Sequence, residues 1–203
     1  SSELTWKDTK KLPYTLTGPY LTELFDRAFV ESLHEPAKRP TADEWEHALI
    51  KSIDLIQPCV NKGCKQKWFI FDNTNSPKCP FCGTPHKGTL PIINFYSERT
   101  KGKFISDNHR LMVYSNQSLF PWHTNRLIHP NERLKESDKH RQGYFVFHNN
   151  QWYLVNQSIE ELMDVKSKQC FPIGSQIKIT DGLQLLTGKN NGDRLLHIQM
   201  IEG

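Results

Sequence analysis

The chain has 203 residues, 36% hydrophobic and 24% charged, with a formal net charge of +4 and a mean hydropathy of −0.63. That length leaves room for one large domain or two to three small ones, and its polarity points to a soluble protein, with no apolar run near the ~20 residues of a membrane span. The charge is mild, and lysines and arginines do not gather into a stripe with interleaved aromatics, which weighs against nucleic acid as the main partner.

Taken in order, the first legible element is an amphipathic helix over Pro19 to Leu33. Leu21, Leu24, Phe25, Ala28 and Phe29 recur at helical spacing, and Gly18-Pro19 opens the helix. A second helix starts at Thr41, where Thr41-Ala-Asp-Glu44 is a capping box. Trp45, Ala48, Leu49, Ile53 and Ile56 then form one apolar face before Pro58 stops it. Two such helices cannot bury both faces on each other and need a further surface.

Four of the five cysteines follow, as Cys59-Val-Asn-Lys-Gly-Cys64 and Cys79-Pro-Phe-Cys82, with fourteen residues between the pairs. Two short pairs at this separation match a four-cysteine zinc ribbon, in which two tight turns converge on one tetrahedral ion. Gly63 and Gly83 suit those turns because glycine takes positive φ at little cost. Trp68 to Phe71 reads as the intervening strand, and Asp72 to Pro77 as the returning turn. A module of about thirty residues is too small to fold by apolar burial, whereas structural zinc contributes about 10–16 kcal/mol of apparent binding energy. Four thiolates leave no position for water, so the expected Zn2+ is structural and not catalytic. Disulfides are the alternative, but they belong to oxidising compartments, and no secretory signal is legible. The chain is therefore expected to be cytoplasmic. His86 is a further candidate to replace one ligand. Cys170, alone, reads as a small buried residue.

Beyond Pro91 short alternating runs separated by turn signals indicate a β-sandwich or barrel. Expected strands are 92–95, 110–114, 126–128, 144–147, 152–155, 162–165, 176–179, 183–186 and 195–201. Asn149-Asn150, Asp181-Gly182 and Asn191-Gly192 mark turns. Within Phe120-Pro-Trp122-His123-Thr-Asn125-Arg126, the residues Trp122, His123 and Arg126 are candidates for a partner-binding patch, since aromatics are enriched in interface cores. The same tryptophan fits its own domain core equally well. The expected fold is thus mainly β with an N-terminal helical segment, divided as 1–57 helical, 58–88 ribbon and 89–203 sandwich.

Three resemblances add to this reading. Leu24, Phe25, Ala28 and Phe29, then Pro36-Ala37-Lys38-Arg39-Pro40-Thr41-Ala42, Trp45 and Leu49 resemble the last helices of a eukaryotic-type protein kinase domain. In that family the arginine at the position of Arg39 pairs with an upstream glutamate, which this sequence lacks, along with the glycine-rich loop and the catalytic and metal-binding aspartates. The resemblance implies a non-enzymatic piece of a longer kinase. From Gly143 through Asn156, Pro172 to Ile179, Asp181-Gly182 and a last strand ending at Met200, the chain is similar to the second half of a forkhead-associated domain. That fold usually reads phosphothreonine. The Gly-Arg pair of the family is absent here, Ser158-Ile159 stands where Asn-Gly is expected, and Ser137-Asp-Lys-His140 keeps only the family's Ser-x-x-His spacing.

Kinase tail, ribbon and forkhead-associated-like sandwich in that order resemble the C-terminal region of bacterial kinases linked to tellurite resistance, in the TerY-phosphorylation triad. The resemblance implies a regulatory, protein-interaction region that docks a von Willebrand factor A-like partner, with a PP2C-like phosphatase in the same system. Such partners carry a metal-ion-dependent adhesion site that accepts a carboxylate, for which Asp107, Glu132 and Asp164 are candidates. The alternatives are a phosphothreonine-peptide reader using Ser137 and His140, and a nucleic-acid-binding ribbon with a positive face around Lys62, Lys65, Lys67 and Lys78.

Overall fold

A computed structural model describes residues 14–71 and 77–202. The chain divides into two compact units, residues 1–86 and 87–203. Among the described residues no helix is long and apolar enough to cross a membrane.

In the first unit, helix α1 (Gly18–Asp26) starts at a glycine with φ +75° followed by proline. Gly18 is required here twice over, because an added Cβ would also lie 2.7 Å from Ile70 Cγ2. The helix widens into a π turn over Arg27–Glu31, and Arg39 closes its end by donating from Nε to Ser32 O (3.2 Å) and from Nη2 to Leu33 O (2.9 Å). Ser32 O also accepts from Glu35 N (3.2 Å), so the arginine shares in satisfying carbonyls at the helix end. This is the local role of Arg39, which pairs with neither Asp43 nor Glu44 as a side-chain ion pair among the described residues. Helix α2 (Ala42–Ile53) opens with the expected box: Glu44 N donates to Thr41 Oγ1 and Thr41 N to Glu44 Oε2. Arg27 from the first helix pairs with the same Glu44.

The helical stripes are only half used. Leu24, Ala28 and Ala48 are buried, but Phe25, Phe29, Leu49 and Ile53 are exposed, and Phe25 meets Trp45 edge-on at 5.1 Å. Ile56, expected in the second helix, instead begins strand β1 (Ile56–Pro58), which pairs antiparallel with β2 (Trp68–Ile70). Phe71 N then donates to Leu55 O, tying the ribbon strand to the end of α2. The expected turn at 72–76 lies outside the described residues.

The second unit is built from antiparallel strands β3 (Thr89–Thr100), β4 (Lys103–Met112), β5 (Ser118–Leu119), β6 (Gly143–His148), β7 (Gln151–Asn156), β8 (Met163–Asp164), β9 (Gln176–Lys178), β10 (Gln184–Leu186) and β11 (Arg194–Glu202), with the one-turn helix α3 (Pro121–Thr124) after β5. One sheet runs β4-β3-β11-β10-β8 and the other β5-β6-β7-β9. Ile92, Phe95, Leu111, Phe145, Leu154, Leu185 and Leu196 form its core. Trp152 is buried with its indole N–H satisfied by Thr89 O at 2.8 Å. Asn149 and Asn150, at φ +48° and +57°, make the two-residue turn between β6 and β7, the left-handed pair that matches the twist of its strands.

The structure corrects three expectations here. Residues 126–128 form a turn in which Asn125 Oδ1 accepts from Leu127 N, not a strand. The hairpin β3-β4 is longer than expected and runs through Ser97–Thr100 and Lys103–Ser106, where backbone pairing continues although Phe104 is only half-buried and Ile105 is exposed. Cys170 is exposed, on a bridge to Met163.

Candidate metal centre

The first turn of the ribbon is shaped by Asn61. Its side-chain oxygen accepts from Gly63 N (2.9 Å) while its carbonyl accepts from Cys64 N (3.0 Å), folding Cys64 back toward Cys59. Cys59 N in turn donates to Lys67 O. The positive φ expected at Gly63 is found instead at Lys67 (+58°). In the second turn Gly83 does take φ +72°, its N–H donates to Cys79 O, and Cys79 N donates to Thr84 O. A bridge between Lys78 and Pro85 closes this turn.

These two turns bring together all four predicted ligands. The sulfurs of Cys59, Cys64, Cys79 and Cys82 lie within 4.8 Å of one another, with Cys59 Sγ to Cys82 Sγ at 3.6 Å and Cys64 Sγ to Cys79 Sγ at 3.9 Å. A tetrahedron with metal–sulfur bonds of about 2.3 Å has edges of about 3.8 Å, so the spacing fits a four-coordinate ion. It is far from the ~2.05 Å of a disulfide, and all four are free thiols. Cys64 and Cys79 are buried, Cys59 is intermediate and Cys82 is exposed.

The electrostatics of the four sulfurs are uneven. Burial, with the neighbouring thiols adding to it, pushes Cys59 up to about 12. Burial also raises Cys79, while hydrogen bonding from the Thr84 side chain and backbone pulls Cys82 down to about 6. Four sulfurs at contact distance cannot all ionise without a cation between them, and a divalent ion reverses that penalty. Thr84 is a supporting residue that the sequence reading missed. Its Oγ1 lies 3.2 Å from Cys82 Sγ and 3.4 Å from Asn61 Nδ2, linking the two turns. A threonine two residues after the last cysteine gives no sequence signal for this. His86 stands outside the sulfur group, and burial lowers its pKa.

Trp122 stacks on Phe120 at 4.4 Å and is half-buried. His123 is buried, and its Nδ1 accepts from Phe120 N at 3.0 Å. Arg126 is half-exposed and anchored by its backbone N–H to Gly192 O. Asp107 is enclosed: it accepts from Ser97 Oγ (2.6 Å) and Arg99 Nη2 (3.0 Å) and lies 3.1 Å from Arg194 Nε. Asp164 is occupied by Ser167 Oγ and Lys166 N. Glu132 is exposed, with Arg133 4.0 Å away. Ser137 donates to Asp138 Oδ1, and His140 Nδ1 lies 2.8 Å from Glu136 O. Both residues are exposed, and these bonds lie within the segment 136–140.

The fold and site define a mainly β chain with an N-terminal helical segment and a four-cysteine, metal-compatible centre. No family model matches the sequence, and no curated protein matches it. The chain is similar to the solved structure of full-length yeast Pml1p, at 13% identity over 56% of this chain and 83% of that one, with a TM-score of 0.37, too slight a likeness to support any argument.

Proposed function

We propose that the four cysteines hold a structural Zn2+, and that the chain is a non-catalytic, cytoplasmic protein-interaction region of a bacterial kinase. The observation that carries the first part is the sulfur cluster, whose edges fit a tetrathiolate zinc site closed to water. The second part is supported by the order of elements: kinase-like terminal helices, ribbon, then forkhead-associated-like sandwich. That order supports docking of a von Willebrand factor A-like protein in a tellurite-resistance system. Of the three acids able to complete a partner's adhesion-site metal, Asp107 and Asp164 are spent on internal hydrogen bonds. Glu132 is the exposed one.

The test is co-purification of this chain with the A-domain protein, with and without magnesium. Magnesium-dependent association lost in Glu132→Ala supports the reading, and no association under either condition overturns it.

A further inference from the structure

Two turns far apart in sequence meet at the metal end of the ribbon, and what they carry on the outside is chemically distinctive. Lys62 and Lys65 flank Cys64, and Lys78 and Phe81 each directly precede a cysteine of the second turn. Lys67 O holds Cys59 N, and Trp68 lies opposite Pro58 in the β1-β2 register. Strand alternation buries Phe69 and Phe71 and turns Trp68 outward. Trp68 is 47% exposed and Phe81 38%, and Lys62, Lys65, Lys67 and Lys78 are exposed on the same two turns and the start of β2. Those lysines form no ion pair among the described residues. From Pro58 to His86 the sequence holds one acid, Asp72, outside the described residues.

We propose that this metal end of the ribbon binds single-stranded nucleic acid, with Trp68 and Phe81 stacking on bases and Lys62, Lys65, Lys67 and Lys78 contacting phosphates. Single-strand sites combine these two elements: cationic side chains follow the backbone, and aromatic faces accept bases of any sequence. An acidic polypeptide would engage the lysines but leave both rings without a complementary group, which decides between the two anions. In sequence the four lysines are split by the ribbon strand and show no stripe. Only the meeting of the sulfurs brings them to one end. The proposal rests on the metal centre holding its ion but not on the docking function.

The test is fluorescence anisotropy of the zinc-loaded 203-residue chain with labelled oligo-dT and oligo-U of about 20 nucleotides, across a salt series. Four phosphate contacts predict a log K against log salt slope of about −3. Trp68→Ala weakens binding by about 5- to 150-fold, and Lys62→Glu/Lys65→Glu/Lys67→Glu weakens it more than about 100-fold, with zinc content unchanged. If the triple variant loses zinc, the Trp68→Ala result and the salt slope of the parent chain decide. Absence of binding by zinc-loaded chain at low salt overturns the proposal, as does full affinity in Trp68→Ala. Displacement of the oligonucleotide by poly-glutamate at lower concentration than by oligo-dT also overturns it and assigns the surface to acidic protein. Zinc content of the same samples separates a failure of this proposal from a failure of the metal centre.

Discussion

Asp107→Ala removes the acid that balances a buried arginine. Arg194 and Asp107 side chains are 9% and 6% exposed and 3.1 Å apart, and Arg194 also donates from Nη1 to Trp122 O and stands 5.3 Å from the Phe95 ring centre. Without Asp107 the guanidinium stays in a dry environment near Phe95 and loses its counter-charge, while Ser97 Oγ loses its acceptor. Breaking a buried pair from one side costs about 3–5 kcal/mol. For a domain of this size about 4 °C per kcal/mol is expected, so the sandwich transition should fall by about 12–20 °C. The double change Asp107→Ala/Arg194→Met should recover much of that, because the stranded charge is gone. Thermal denaturation followed by near-ultraviolet circular dichroism reads both. A single variant within about 4 °C of the parent, or a double variant no better than the single, would refute this account. The same pair positions α3, so Trp122 fluorescence should also change in the single variant.

Cys79→Ser should abolish metal retention and unfold the ribbon, while the sandwich resonances in a two-dimensional NMR spectrum keep their positions; loss of both sets together would count against independent units. Gly143→Ala places a Cβ 2.7 Å from the backbone Val155 O, where nothing flexible can yield, so the denaturation midpoint should drop and β6-β7 amide protection weaken. Asp164 has a pKa below its ordinary 3.8, chiefly through the Ser167 hydroxyl. A lowered folded-state pKa contributes stability above the unfolded value and loses it as pH falls through the folded one. Asp164→Asn should therefore be less stable than the parent at pH 7, with the gap in urea midpoints closing below about pH 4; a gap that persists there would contradict the assignment.

The four-cysteine cluster was legible because cysteine spacing is a local signal: two short pairs force two turns, and the turns leave the sulfurs little choice but to converge. The Thr41 capping box and the Asn149-Asn150 turn were legible for the same reason, each being settled by residues within four positions. Helix stripes were read less well. Phe25, Phe29, Leu49 and Ile53 have the spacing of buried residues but are exposed, since periodicity says which residues share a face and not whether anything covers it. Ile56 shows the converse, an apolar residue in helical phase taken by strand pairing with Ile70. The outer half of β3-β4 is mostly polar, with Phe104 and Ile105 adjacent and not alternating, so only backbone pairing reveals it. The buried His123 ring caps Phe120 N, a role no short motif encodes.

The most direct test of the central claim is X-ray absorption at the zinc edge on protein purified without added metal, paired with elemental analysis. One zinc per chain with four sulfur neighbours at about 2.3 Å is expected. A folded protein without zinc, or zinc with nitrogen or oxygen in its first coordination sphere, would contradict it.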